Sequence, residues 1–374
     1  MSRAAALAAG SGTLQFDWEF PDRRKIGLIV QKTLGQWLTA RTRRIAQAAR
    51  FRASVRRLHG PASCFTSPGE VVLVALVRDG EYYLDVFFEH YRRLGVSAFV
   101  FFDNGSADGT LDRIRREPGT AVLRSALPWL QFENTFRGYA ADRYGRDRWC
   151  LFADMDELFD FEGSGTAGLG GLTRYLDRQG YTALQAQMLE MFPQGPLAAA
   201  RDLSYAAAVE AFRYSDISAV RPVGYASGET GFSYYLRQNR QPPGGARMLF
   251  GGVRGKVFGE NCCLSKHPLV FNAPGVQAAV HPHTSAGVRV ADTEGLLRHY
   301  KFAGDNLARD LQIQAETISG HGEDRLRSTA MQTQPELSLW STDAVKDASV
   351  ADLQRRGFLR HSPQYSLFLA GDST

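Results

Sequence analysis

Two carboxylates one residue apart, Asp154 and Asp156, directly follow the apolar stretch Trp149-Cys-Leu-Phe-Ala153. In a turn leaving a strand, an i,i+2 pair can aim both side chains at one point. Two hard oxygen donors at one point suit Mg²⁺ or Mn²⁺, usually alongside phosphate oxygens. Glu157-Leu-Phe follows, so the pair lies between buried segments, where an unpaired carboxylate is costly and a cation is favoured. The competing reading is a solvated turn with scattered acids. Asp103 stands in the same way directly after Ala98-Phe-Val-Phe-Phe102.

The elements that must position these acids follow from the apolar runs. Val71–Val77 is uninterrupted and β-branched, as in a strand buried on both faces. Glu81–Leu94 reads as an amphipathic helix closed by Gly95. Strand 98–102 comes next, then a helix from Asp108, its expected N-cap, to Arg116. Strand 121–124, helix 131–144 and strand 149–153 complete a β-α-β-α-β-α-β order over 71–157. Such alternation predicts an α/β fold, with a mostly parallel sheet flanked by helices and a site at the strands' C-terminal ends. Asp103 and Asp156 then share one sheet edge. Further on, 172–179 reads as helix, 182–188 as strand, and 295–302 and 307–318 as helices. Residues 193–280 carry no clear pattern, and 332–374 reads as a polar tail with a final aromatic cluster.

Charge is unevenly placed. Residues 1–60 hold twelve Lys/Arg against three acids, a net +9, while the rest of the chain carries −4. The mildly acidic body argues against a nucleic-acid partner. Residues 23–59 read as a basic helical arm, with Leu34, Trp37, Leu38, Ile45, Val55 and Leu58 at roughly helical spacing. It either lies on an anionic membrane surface or packs on protein. The expected organisation is an arm over 1–66, a catalytic domain over 67–305 and a C-terminal tail over 306–374. Four cysteines without a CxxC pair suggest a reducing, cytosolic compartment. No run of 18 apolar residues exists, so membrane contact is expected to be peripheral.

Three segments taken together resemble a GT-A glycosyltransferase of the family 2 type, in the bacterial branch related to family 92. They are Val71–Val77 with Arg78-Asp79-Gly80-Glu81, Phe102-Asp103-Asn104-Gly-Ser-Ala-Asp108-Gly-Thr110, and Phe152-Ala-Asp154-Met-Asp156-Glu-Leu-Phe159. The elements Gly251-Gly-Val-Arg254, Lys266-His-Pro-Leu269 and His299-Tyr-Lys301-Phe302 follow in the order of that branch. The resemblance covers roughly 70–305 and implies a nucleotide-sugar donor, a divalent metal (Mn²⁺ or Mg²⁺) and an inverting transfer. By motif position, Asp103 contacts the nucleotide base, and Arg78, Asp79, Glu81, Asn104 and Asp108 are further candidates for substrate binding. Asp156, with Asp154, holds metal and diphosphate, His299 is the third metal ligand, and Lys301 sits near the phosphates. Arg78-Asp-Gly-Glu81 departs from the usual Arg-Asn-Glu, so the acid is shifted by one and the role of Glu81 is open.

The resemblance implies transfer to a glycan or lipid-linked acceptor, whose hydroxyl needs a general base. The candidates are Glu190 and Glu260, each with a surface glutamate as the competing reading. Arg254 and Lys266 are candidates for diphosphate or an acidic acceptor, and Asn134 and Arg137 for a donor contact. His281-Pro-His283 has restricted geometry, and His283 is held in reserve as third ligand. Gly163-Ser-Gly-Thr-Ala-Gly168 matches a dinucleotide pattern but is expected to follow an acidic run rather than a strand, and so reads as a loop. The alternatives are a nucleotidyltransferase, against which the absence of a Gly-rich phosphate loop after the first strand counts, and a degenerate, non-catalytic sugar-binding protein.

Overall fold

The structure is a computed structural model that describes residues 34–67, 69–316 and 322–372. The chain divides into two units, Met1–Ala46 and Gln47–Thr374. Of the first, the described part is helical and belongs to α1 (Leu34–Ser54). Residues 23–33 of the expected arm lie outside the described residues.

The second unit is built on a nine-stranded sheet. Its strands are β1 (Arg56–His59), β2 (Val72–Val77), β3 (Ala98–Asp103), β4 (Thr120–Arg124), β5 (Trp149–Phe152), β6 (Glu157–Asp160), β7 (Ala183–Glu190), β8 (Ser265–Phe271) and β9 (Val290–His299). The spatial order is β1-β4-β3-β2-β5-β8-β7-β9-β6. Strands β2, β3, β4, β5, β7 and β9 run one way, and β1, β6 and β8 run against them. Besides a single turn at Ser233–Leu236, the described α-helices after α1 are α2 (Leu84–Arg93), α3 (Thr110–Arg115), α4 (Trp129–Tyr144), α5 (Gly168–Gln179), α6 (Tyr205–Ala211), α7 (Gly252–Phe258), α8 (Asn306–Ala315), α9 (Glu323–Thr333), α10 (Val350–Arg355) and α11 (Pro363–Asp372). This is a mixed α/β fold with a mostly parallel central sheet flanked by helices.

Strand β2 shows why its apolar run is unbroken. Leu73, Ala75 and Val77 belong to the core that contains Leu84, Phe87, Phe88 and Tyr91 of α2. The alternate residues Val72, Val74 and Leu76 belong to the core that contains Phe132, Phe136, Ala140 and Tyr144 of α4. Both faces are dry, so neither can carry polar residues. Strand β8 contains Pro268 and tolerates it through a register shift against β7 between Lys266 and Leu269.

Four sequence expectations need correction. The arm helix does not reach His59: it ends at Ser54, and Arg56–His59 pairs antiparallel with β4 as a sheet edge. Its arginines, Arg56 and Arg57, are exposed and suit an edge strand. Residues 295–302 are not a helix, because Val290–His299 is a strand held between β7 and β6. A Cβ at Gly295 would fall 2.6 Å from the Phe159 ring, so the glycine is there for the close approach of β6. The acidic run after Asp156 is strand β6, so Gly163–Gly168 does link a strand to helix α5. The residues after 332 are packed rather than a loose tail. Leu353, Phe358, Leu359 and Tyr365 are buried, and Tyr365 donates to the Glu162 carbonyl at 3.0 Å.

The end of α1 is fixed by Phe51, which is 4% exposed. Its ring lies 6.4, 6.2, 5.9 and 5.3 Å from those of Phe102, Phe132, Phe136 and Tyr139. Phe51→Ala is expected to lower the unfolding free energy by about 3–5 kcal/mol. Urea denaturation measures it, and a loss under about 1 kcal/mol, the scale of a surface substitution, would show that α1 is not anchored by this ring.

Candidate functional site

The sheet topology collects the chemistry at one edge. The six co-directional strands end there at Val77, Asp103, Arg124, Phe152, Glu190 and His299. The antiparallel strands β6 and β8 begin there, at Glu157 and Ser265. Strand β2 lies between β3 and β5, so the direction of winding reverses beside it, and the crevice at such a reversal is where ligands bind in open α/β sheets. Asp103 and Asp156 therefore share an edge, as the alternation predicts.

Three titratable residues are register neighbours across β7, β9 and β6, with His299 paired to both Glu190 and Glu157. His299 Nδ1 donates to Glu190 Oε2 at 2.9 Å, and its Nε2 lies 3.3 Å from Asp156 Oδ2. The other Glu190 oxygen accepts from the Lys301 backbone N–H at 3.2 Å. Burial alone disfavours the imidazolium, but Glu190 and Asp156 outweigh it and raise the His299 pKa to about 9. Burial likewise disfavours the Asp156 carboxylate. His299, then Lys301 and Lys266, hold it far below the usual range nonetheless.

Asp154 is turned away from this line. Its Oδ2 accepts from Lys266 Nζ at 2.7 Å, and Lys266 also bonds Glu157. Its Oδ1 lies 3.4 Å from the Arg137 guanidinium, which in turn reaches Glu133 at 3.4 Å. Lys266 and Arg137 overcome burial and hold Asp154 well below the usual range, although its side chain is 38% exposed and solvent weakens the pairing. Two carboxylates aimed at one point, the expected arrangement, is therefore not what forms. Asp156 faces His299, and Asp154 faces two cations.

Among the described residues no group of three or more His, Cys, Asp or Glu is arranged to hold a metal ion. Two donors are suitably placed, Asp156 Oδ2 and His299 Nε2. Their 3.3 Å separation is close to the roughly 3 Å between adjacent ligands of an ion with bonds of about 2.1 Å. Glu190 holds the other ring nitrogen, the carboxylate–histidine contact that orients metal-binding imidazoles. This donor set fits a hard divalent ion that takes its remaining ligands from phosphate and water.

The loops after β2 and β3 clasp each other. Asp103 is fully buried, accepts from the Gly105 and Ser106 N–H groups at 3.0 Å each, and meets Arg124 at 3.2 Å. Asn104 donates to the Ser125 and Leu127 carbonyls. Asp79 accepts from Ala107 N–H at 2.7 Å, and Glu81 from Gly109 N–H at 2.9 Å, where a Cβ on Gly109 would fall 2.2 Å from the Glu81 carboxylate. Asp108 does not cap α3 as expected. Gly109 occupies that position, while Asp108 accepts from Glu81 N–H and Thr110 N–H. Arg78 pairs with Glu316. These residues build a braced rim, with Asp103 inside it rather than facing outward.

The remaining candidates separate. Glu190 belongs to the His299 line. Glu260 does not reach a surface: its side chain is 0% exposed, Arg327 bonds it at 2.9 Å, and Arg254 lies between it and Glu190. It is corrected from candidate base to buried counter-charge. His283 lies beside Lys266 and Asp154, not at Asp156, with Nδ1 3.0 Å from the Ser265 carbonyl. Burial, then Lys266 and His281, push its pKa well below 6.5, and the reserve-ligand reading falls. Asn134 keeps a buried Oδ1 with no hydrogen-bond partner. Lys301 is half-buried beside Asp156. The sequence reading missed Glu157, although it continues the Asp154–Asp156 run, and Tyr205. The buried Tyr205 hydroxyl has no hydrogen-bond partner, and its ring lies 4.9 Å from that of Tyr83 and 6.0 Å from that of Tyr300. Nothing in the sequence marks it.

These ion pairs make stability depend on pH. The raised His299 pKa means its contribution is complete below the ordinary imidazole value of 6.5 and is lost as pH rises through about 9. The depressed Asp156 contributes above the ordinary value of 3.8 and loses its contribution as pH falls below it. Thermal melts across the alkaline range should therefore show a decline that begins above the ordinary 6.5 and runs through about pH 9. His299→Gln should flatten that alkaline decline, and an unchanged decline in the variant would contradict the assignment. No protein-family model matches the chain, and no curated protein matches it.

Proposed function

We propose that the chain is a metal-dependent glycosyltransferase of GT-A architecture. It moves a sugar, with inversion, from a uridine-linked nucleotide-sugar donor to a glycan or lipid-linked acceptor. The observation that carries this reading is the Glu190–His299–Asp156 line at the strand-end edge, with Lys301 beside it. Asp156 and His299 would hold Mn²⁺ or Mg²⁺, which when bound supplies positive charge to a diphosphate leaving group. Glu190 keeps a proton on Nδ1 of His299, so Nε2 is the nitrogen available to an ion. Lys301 is the cation placed to meet phosphate oxygens. Lys266 and Arg137 fix the Asp154 turn that presents Asp156. The Arg78–Glu81 segment, clasped to the next loop, disfavours a nucleotidyltransferase.

Mn²⁺-dependent hydrolysis of a panel of nucleotide-sugars tests the reading without an acceptor. Asp156→Ala should abolish Mn²⁺-dependent nucleotide binding, His299→Ala should weaken it, and Glu190→Gln should cost about 10–100-fold in Mn²⁺ affinity. Wild-type protein that binds nucleotide-sugar with Mn²⁺ but never hydrolyses it would favour the non-catalytic sugar-binding alternative. Absence of binding would overturn the proposal.

The acceptor side includes the arm. Among the described residues no helix is long and apolar enough to cross a membrane. Eight of the arm's twelve basic residues precede Gln47, and each one close to an anionic surface gains about 1 kcal/mol. All four cysteines are free thiols, which suits a reducing compartment. Truncation at Ser67 would remove β1 and Phe51, so the informative shortened chain begins at Gln47. The full chain is expected to co-sediment with anionic vesicles and to leave them as salt rises, while the shortened chain stays in solution. Equal sedimentation of the two would assign the arm to protein packing.

A further inference from the structure

A row of alternating charges runs from helices α8 and α9 to Asp156. Arg327 of α9 grips Asp310 of α8 with two bonds, Nε to Oδ2 at 2.8 Å and Nη2 to Oδ1 at 2.9 Å. Its Nη1 donates to Glu260 Oε1 at 2.9 Å. The other Glu260 oxygen lies 3.5 Å from Arg254 Nε, and that same nitrogen lies 3.4 Å from Glu190 Oε2. Glu190 then holds His299, which faces Asp156. From Asp310 to His299 every side chain is at most 7% exposed.

Two features make this row more than packing. The joint at Arg254 makes no directed hydrogen bond, since neither Arg254 Nε nor Glu260 Oε2 has a bonded partner. Coulomb attraction alone holds that joint, and it acts on position without fixing an angle. In addition, α8 holds the segment that follows His299. Arg309 donates to the Lys301 and Ala303 carbonyls at 3.1 and 2.6 Å, and Asn306 to the Phe302 carbonyl at 2.8 Å. Neighbouring residues of one helix thus hold the turn after His299 and the chain of charges behind it.

We infer that Asp310 and Arg327 are positioning residues, which set through Glu260, Arg254 and Glu190 where the His299 imidazole sits against Asp156. With water excluded, removing one charge leaves its neighbours uncompensated, and they must re-pair or shift. Such a shift reaches His299 because each member is paired with the next, while Cys262 and Glu323 also face Arg254 and the Lys301 N–H also holds Glu190. The inference deepens the proposed function and rests on it for the meaning of His299, but not for the coupling itself.

The test uses the full chain at fixed pH, with Mn²⁺ alone as probe and the ring-nitrogen NMR signals of His299, assigned by their loss in His299→Gln. Asp310→Asn keeps the shape and removes one charge, and Arg327→Met removes the joint between α8 and Glu260. Both should move the His299 signals and weaken Mn²⁺ binding by about tenfold, the lower range for groups that orient metal ligands. Arg327→Lys should restore part of each effect, and Arg325→Ala, on the exposed side of α9, should change neither. If Arg327→Met does not fold, Asp310→Asn decides. Variants that melt earlier yet leave the His299 signals and Mn²⁺ affinity within twofold of wild type would overturn the inference. Should the wild type bind no Mn²⁺, the metal reading fails, and the His299 signals alone decide the coupling.

Discussion

A charged group at the end of a buried strand cannot be left alone. That constraint organises this molecule more than any single hydrophobic contact. Solvation lost by a carboxylate must be replaced by a cation or by donated hydrogen bonds, and the sheet edge uses both solutions. Asp103 takes backbone N–H groups of its own loop, and Asp79 and Glu81 take those of the loop after β3, so the two loops are tied together. Asp154, Asp156, Glu157, Glu190 and Glu260 take lysine, arginine or histidine from other strands and helices. The first solution gives a stiff rim. The second gives a connected interior, in which each partner's place depends on the next.

How much of this the sequence displays depends on range. Val71–Val77 and Ala98–Phe102 are legible as strands because both faces are buried and the apolar run has no gaps. The order of elements from 71 to 157 then fixes which ends share an edge. Short and edge elements are less legible. Glu157–Asp160 has two acids in four residues, yet it is a strand because β9 supplies its hydrogen bonds. Residues 295–299 read as helix because Leu296 and Leu297 carry no alternation, and only burial between two neighbours explains that.

The candidate site divides in the same way. Asp154, Asp156 and His299 are visible as residue types at suggestive places, but which of them meet is a long-range fact. The Asp-x-Asp spacing suggests convergence, and the pull of Lys266 and Arg137 undoes it. Glu260 and His283 have the right chemistry in isolation and the wrong surroundings. Asp310 and Arg327 are unremarkable in sequence, and they acquire meaning only because α8 and α9 pack behind α7.

The edge strand β1 has a consequence for synthesis. Arg56 pairs with Arg124, which leaves the ribosome roughly 70 residues later, about 3–14 s at 5–20 residues per second. For that interval β1 has no β4 to pair with. It must wait while β2 and β3 are assembled, and it joins the sheet from the outside once β4 exists. Two exposed arginines and a histidine in four residues are a poor template for pairing with another nascent chain. The composition that suits an edge in the finished sheet thus also protects the strand during its wait.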